Sequence, residues 1–265
     1  MNKKSLPKLV LSPIAVLFLF WNHDVLAVTI LQTVSQEAYP KYYMEKGVPS
    51  GLCPAFLRAI EEMEPTIKFV GMEKFIPTKR IHSSLKDGTL DAFACFAPTE
   101  ERKKYIDFIE PPLFVNDVQA AVLKDSPAAR VTSWDQMKTQ NQWIFLATLG
   151  TPHVNFLENI PGIKIDAQSG DNINNLEKLK ASRGDVFIHF GYILKGIVQK
   201  EQITDKIVIL PFNIRKEKQY LALSKKVSAE TKKKLENAIY RLDKKGELKK
   251  IFDKYTSNYL TEKKP

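Results

Sequence analysis

The sequence predicts an α/β protein built as two similar halves, and three observations carry that prediction. First, the segment 80–96, RIHSSLKDGTLDAFACF, runs an amphipathic stretch into an apolar one with the single Gly88 between them. Gly88 supplies the left-handed residue that ends a helix, and the aliphatic run predicts a parallel strand from Thr89 to about Phe96, buried on both faces. Second, the stretch from Gly170 to Ile188 repeats this grammar, with Leu176 and Leu179 on a helix, then Gly184, Asp185 and a strand at Val186-Phe187-Ile188. Third, short apolar runs alternate with amphipathic helical patterns along most of the remaining chain.

Residues 1 to 27 read as an export signal. Lys3, Lys4 and Lys8 make a basic start, the apolar run Leu9 to Trp21 is short for a bilayer span, and Val25-Leu26-Ala27 offers small residues at a cleavage site. A retained N-terminal anchor is the alternative. No cysteine follows the apolar run, so no lipid anchor is expected. Cleavage after Ala27 leaves about 238 of the 265 residues, enough for two modest lobes or one large domain. It removes Lys3, Lys4, Lys8 and Asp24, which takes the net charge from +10 to +8. Much of the excess lies in the last forty residues, where lysines alternate with Glu230, Glu236, Asp243, Glu247 and Asp253 at helical spacing, as on a solvated face. Without aromatic interleaving or a recognised motif, this charge does not predict nucleic-acid binding.

The elements follow in order. Val28 to Val34 is a first strand, Ser35 to Tyr43 a polar and aromatic loop, and Gly51-Leu52-Cys53-Pro54 starts a helix with Phe56, Leu57, Ile60 and Met63 on one face. Ile67 to Met72 is a second strand, and Pro77 suits the first turn of the helix that carries Arg80, Ile81 and Leu85. An extended segment follows Pro111-Pro112. Ser133 to Lys138 is a short helix, Trp143 to Thr148 a strand, and Val154 to Asn159 a helix preceded by Leu149-Gly150-Thr151-Pro152. Ile207 to Pro211 and Gln219 to Ser224 are further strands, and Ala229 to Leu242 with Glu247 to Tyr255 forms a helical tail.

Candidate site residues cluster at strand ends, where open α/β sheets gather ligands. Arg102, just past the predicted strand ending at Phe96, either presents its fork of donors to an anion in a cleft or pairs with Glu100, Glu101 or Asp107 on a solvated turn. Gly150 and Thr151 put backbone N–H groups and a hydroxyl at a helix start, an anion site or a plain helix cap. Arg80 lies either at a cleft mouth or on the surface. His189 and His153 each either line the cleft or serve as packing residues. Cys53 and Cys95, the two cysteines of an exported chain, either form a disulfide or remain two buried thiols.

The spelling Leu85, Gly88, Asp91, Ala92, Thr99, Arg102, Asp107, Phe108, Pro111, Pro112 resembles solute-binding protein family 3, the amino-acid-type periplasmic binding proteins of ABC importers. The resemblance runs from Val28 to Tyr255. It implies a type II periplasmic-binding-protein fold, a two-lobe Venus flytrap with a mixed sheet and flanking helices in each lobe and two hinge crossovers. The lobes would be 28–117 with 218–265, and 118–217. It implies that Arg102 of the Thr99-x-x-Arg102 motif binds a ligand carboxylate, that the helix start at Thr151 assists, and that the loop after the first strand gives an aromatic wall, Tyr39 or Tyr42. This chain departs from the pattern at Ala94, Cys95, Phe96 and Ala97, where hydroxyls usually stand, and at Phe190, where an aspartate usually takes an α-ammonium. An ammonium buried without an acceptor is disfavoured. A small organic anion or a more apolar solute is therefore expected, walled by Tyr39, Phe96 and Phe190.

No His-Glu-x-x-His, zinc-spaced cysteine pair or Gly-x-Ser-x-Gly is present, so a binding protein is expected rather than an enzyme, with no cofactor and no metal. The expected partners are a small solute and an inner-membrane permease or receptor, the chain itself being a monomer in the periplasm. A stand-alone sensor uses the same closed surface and is the competing reading.

Overall fold

The computed structural model describes residues 27–260, so all but the last residue of the predicted export signal lies outside it. The chain opens with β1 (Thr29–Gln32), the hairpin β2 (Tyr43–Glu45) and β3 (Val48–Ser50), α1 (Leu52–Met63), β4 (Ile67–Val70) and α2 (Thr78–Asp87). It continues through β5 (Ala92–Phe96), α3 (Glu100–Lys103) and the long β6 (Ile106–Leu123). After a 3-10 turn at Pro127–Arg130 come α4 (Trp134–Met137), β7 (Ile144–Leu146), α5 (Pro152–Glu158), β8 (Lys164–Asp166), α6 (Asn172–Lys180), β9 (Val186–Phe190) and α7 (Gly191–Lys200). The last elements are β10 (Ile207–Ile209), β11 (Arg215–Ser224), α8 (Ala229–Lys244) and α9 (Glu247–Leu260).

Two long strands organise this order. In β6 and β11, Arg215–Gln219 lies antiparallel to Val118–Phe114 and Leu221–Ser224 to Ile109–Ile106, with a register shift between the two stretches. The resulting ribbon carries β5 at one end and β9 with β10 at the other, and β7 and β8 continue in parallel beyond β9. β1 and β4 form a separate parallel pair. Asp91 ties that pair to β5, its carboxylate accepting from Gln32 N at 2.8 Å and its own N–H donating to Gln32 O at 3.0 Å. Mixed sheets flanked by helices are the α/β architecture the apolar periodicity predicts.

Aromatic packing holds the ribbon's middle. Phe114 of β6 stacks on Phe56 of α1 at 5.7 Å and on Phe252 of α9 at 4.8 Å, and meets Tyr192 of α7 edge-on at 6.1 Å. One side chain thereby joins helices from both ends of the ribbon. Such pairs add about 0.5–1.5 kcal/mol each beyond the area they bury.

Several sequence expectations change. The strand at 92–96 runs antiparallel to β11, not in a parallel pair, because a strand covered on both faces looks alike in sequence whichever way its neighbour runs. It also bulges: Tyr220 opposes Phe96 while Ala222 opposes Phe93, so β5 holds one extra residue, with Cys95 in the left-handed region at φ 59. The hairpin β2–β3 was not anticipated, although Lys46-Gly47, at φ 50 and 79, turns as a two-residue loop should. Pro77 caps α2 from outside, since its backbone is extended, and the helix begins at Thr78. β6 starts at Ile106, ahead of the two prolines, and β11 starts at Arg215 rather than Gln219, so the ribbon is longer at both ends than expected. Cys53 and Cys95 are bonded to each other, joining the first turn of α1 to the bulge of β5.

Among the described residues, no helix is long and apolar enough to cross a membrane.

Candidate functional site

The site begins where β5 stops. Thr99, extended, caps α3 by accepting from Arg102 N at 3.2 Å, and this single helical turn folds Arg102 back under the strand end. There Nη1 donates to Ala97 O at 2.7 Å, and the guanidinium lies 3.7 Å from the centre of the Phe96 ring. Nη2 donates to Gly150 O at 2.6 Å, on the β7–α5 turn at the other end of the ribbon. Arg102 is only 5 % exposed. The solvated-turn alternative therefore fails: Glu100 pairs with Lys103, Asp107 pairs with Lys232, and among the described residues the guanidinium hydrogen-bonds to carbonyls and forms no ion pair. Burial pulls its pKa down to about 10, against the weaker opposing pull of Glu217 and Glu101.

Opposite stands Lys41, which the sequence reading did not single out. The N–H groups that open α1 fix it: Leu52 N donates to Pro40 O at 3.2 Å and Cys53 N to Lys41 O at 3.1 Å. Gly51, at φ 115, is required there, since a Cβ would sit 2.7 Å from Lys41 O. The side chain is 5 % exposed, and its ammonium lies 5.7 Å from the Phe93 ring centre and 5.9 Å from that of Tyr42. Desolvation first, then the nearby Arg102, lowers its pKa to about 7.

Lys41 and Arg102 line one cavity with Gln36, Glu37, Ala38, Thr78, Cys95, Phe96, Ala97, Thr148, Thr151, Pro152, Gly170, Asn172, His189, Phe190, Ile193 and Gln219. Its free volume is about 30 Å³, room for a water or two. A wider space of about 210 Å³ at its mouth is bounded by Lys79, His82, Thr99, Glu101, Arg102, Leu149, Gly150, Thr151, Val154 and Asn155.

Among the sequence candidates, Arg102, Thr151, Phe96, Ala97, His189 and Phe190 meet at the cavity, and Thr99 and Gly150 stand at its mouth. Thr151 supplies less than expected. Both its N–H and its hydroxyl donate to Thr148 O, at 3.1 and 2.7 Å, and α5 has only 7 residues. Tyr42 is not a wall residue: it is fully buried, donates its hydroxyl to Ala94 O at 2.9 Å and stacks on Phe93. Tyr39 packs against Tyr43 and beneath Lys200 outside the cavity. Arg80 is exposed and lines neither space.

The two histidines differ. His189 Nδ1 accepts from Phe190 N at 2.8 Å, which places the proton of the neutral ring on Nε2, and burial pulls its pKa down to about 3. His153 is fully buried against His189 and Phe190, with Nδ1 3.8 Å from Glu217, and does not line the cavity. Burial, then His189, hold it neutral. Glu217 itself pairs with Arg215.

Sequence reasoning also missed Gln219, which is 1 % exposed and lines the cavity, because a glutamine inside a strand carries no local signal. Among the described residues, no group of three or more metal-ligating side chains gathers anywhere. The arrangement suits binding: a buried, carboxylate-free guanidinium and a buried ammonium face a space between the two ends of the ribbon.

Comparison with known proteins places the chain in a family. The chain is 25% identical over 231 residues to the probable amino-acid-binding protein YxeM of Bacillus subtilis (strain 168), covering 85% of this chain and 83% of that protein. Its fold is that of a putative L-cystine ABC transporter protein from Listeria monocytogenes, at TM-score 0.73 and 20% identity over 88% of this chain and 98% of the other. A histidine kinase sensor domain with similarity to periplasmic binding proteins matches at TM-score 0.71 and 20% identity, over 86% and 95% of the two chains. Residues 31–258 match the sequence model of the bacterial extracellular solute-binding proteins, family 3, and the chain belongs to that family.

Proposed function

We infer that this protein is a periplasmic solute-binding protein that captures a small carboxylate-bearing ligand between two lobes and delivers it to an ABC importer. One lobe is 28–117 with 218–265, the other is 118–217, and residues 1–27 direct export. The observation that carries this reading is Arg102: a guanidinium with 5 % exposure and no carboxylate partner, bonded to Ala97 O on one side of the cavity and Gly150 O on the other. A buried cation whose hydrogen bonds go to carbonyls, with no carboxylate paired to it among the described residues, is ready to exchange one of them for a ligand oxygen. Ligand contacts from both sides then favour the closed form over the open one. Phe190 offers no acceptor to an α-ammonium, and Glu37, the carboxylate on the cavity wall, is exposed. The ligand is accordingly an organic acid or a non-standard amino acid.

The test is a thermal-shift screen of a metabolite library followed by calorimetry on the hits. A carboxylate is expected to bind, and Arg102→Ala to weaken it by about 3 kcal/mol, roughly a hundredfold. Free amino acids that bind tightly, with Arg102→Ala leaving that binding intact, would overturn the reading. Overnight incubation should return the hit unconverted. The likeness to a histidine kinase sensor domain supports a second reading, a ligand sensor that presents its closed shape to a membrane receptor. Solute uptake by vesicles carrying the cognate permease separates the two.

A further inference from the structure

We propose that Lys41 is a second anion anchor and that the cavity takes a compact dicarboxylate, one carboxylate held by Arg102 and the other by Lys41 with Gln219. The inference rests on the solute-binding reading and narrows its ligand.

Charge balance leads there first. Lys41 and Arg102 line the same cavity, each 5 % exposed. The Lys41 ammonium faces the Phe93 and Tyr42 rings and makes no hydrogen bond or ion pair with any described residue. Nothing nearby is placed to neutralise it: Glu37 is exposed at the rim, Glu217 is committed to Arg215, and His189 is a neutral ring. A monocarboxylate on Arg102 would leave the second buried cation uncompensated, which is unfavourable in a closed pocket. A dianion neutralises both.

Hydrogen-bonding capacity points the same way. Gln219 is 1 % exposed on the cavity wall, and both its Oε1 and Nε2 lack a partner. An amide this deeply buried is normally bonded. Its Nε2–H donors suit a carboxylate already drawn by Lys41, and its carbonyl suits a hydroxyl on the ligand's backbone. The two cations come from different elements, Lys41 from the loop between β1 and β2 and Arg102 from α3. Two cations on separate elements can each hold one carboxylate of a two-ended anion, and inorganic phosphate serves as the control for a single anionic centre.

The experiment is calorimetric titration of the exported protein at pH 6.5 with succinate, malonate, butyrate, glutamate and inorganic phosphate. It is run on the native chain, Lys41→Met, Lys41→Arg, Gln219→Leu and Arg102→Ala, with melting curves to verify folding. A dicarboxylate should bind at least tenfold tighter than butyrate in the native chain. Lys41→Met should collapse that ratio to about one, and Lys41→Arg should keep most of it. Equal affinity for succinate, malonate and butyrate, an unchanged ratio in Lys41→Met, or tighter binding of phosphate would overturn the inference. If glutamate or butyrate binds in an Arg102-dependent way while Lys41 is indifferent, only this inference falls. If no solute binds and Arg102→Ala changes nothing, the solute-binding reading falls with it.

Discussion

Lys41 should leave a pH signature that no surface lysine can imitate. Its ammonium titrates at about 7 in the folded chain against an ordinary value of 10.5, so between those limits the unfolded chain binds the extra proton. Unfolding free energy therefore rises with pH from about 7 to about 10, by a few kcal/mol at most. Facing Lys41 are Arg102, whose own pKa is pulled down to about 10, the neutral rings of His189 and His153, and the exposed Glu37 on the cavity wall, so the lower part of that window belongs to the lysine. Denaturant titrations of the unliganded protein at pH 7 and 9.5 should show the rise, and Lys41→Met should flatten it. An equal slope in both proteins would mean that the lysine is solvated. Arg102 was legible from Thr99-x-x-Arg102 because a motif fixes its distance from the strand end. Lys41 was not. Residues 41 and 42 lie side by side, yet one lines the cavity and the other is core, and their backbone is set by Gly51 and the open N–H groups of α1, ten residues away. That is why Tyr42 was read as cavity wall while it is core.

Among the elements, α1 does the most to shape the site. Its first turn holds the carbonyls of Pro40 and Lys41, and through the Cys53–Cys95 bond it is tied to the β5 bulge that aims Phe96 and Ala97. The bonded cysteines are 42 residues apart, a loop whose closure stabilises the fold by about 4 kcal/mol on the chain-entropy argument. Replacing both cysteines by alanine should lower the unfolding free energy by about 3 kcal/mol and weaken ligand binding, because Lys41 and Arg102 would lose their common tether. Paired urea titrations and calorimetry check both effects, and a double variant of native stability would show that packing alone holds α1 on β5. Helices and strands with clear apolar periodicity, such as α1, α2, α6 and β9, were legible from sequence within a residue or two. Strand direction, the bulge and the hairpin β2–β3 were not, because partner identity and register are settled by residues distant in the chain.

At the scale of the whole molecule, the question is what holds the two ends of the ribbon together. On the two-lobe reading proposed above, Gly150 is one place where they touch: its carbonyl receives Arg102, and its Cα lies against the start of α2. A Cβ at this position would sit 3.2 Å from Lys79 N and 3.4 Å from Thr78 Cβ, and the backbone is left-handed at φ 82. Gly150→Ala thus adds two costs. Backbone strain, about 1 kcal/mol, is local and burdens the open and closed forms alike. Crowding against Lys79, also about 1 kcal/mol, burdens the closed form alone. Asparagine tolerates the left-handed region better than alanine, so Gly150→Asn relieves the first cost and keeps the second. Both variants should therefore bind ligand several-fold more weakly than the native chain, while Gly150→Asn should melt above Gly150→Ala. Small-angle scattering with saturating ligand should show less compaction in both. If Gly150→Asn binds as tightly as the native chain, the contact between Gly150 and α2 is no part of closure, and Arg102 must join the two ends by its hydrogen bond without it.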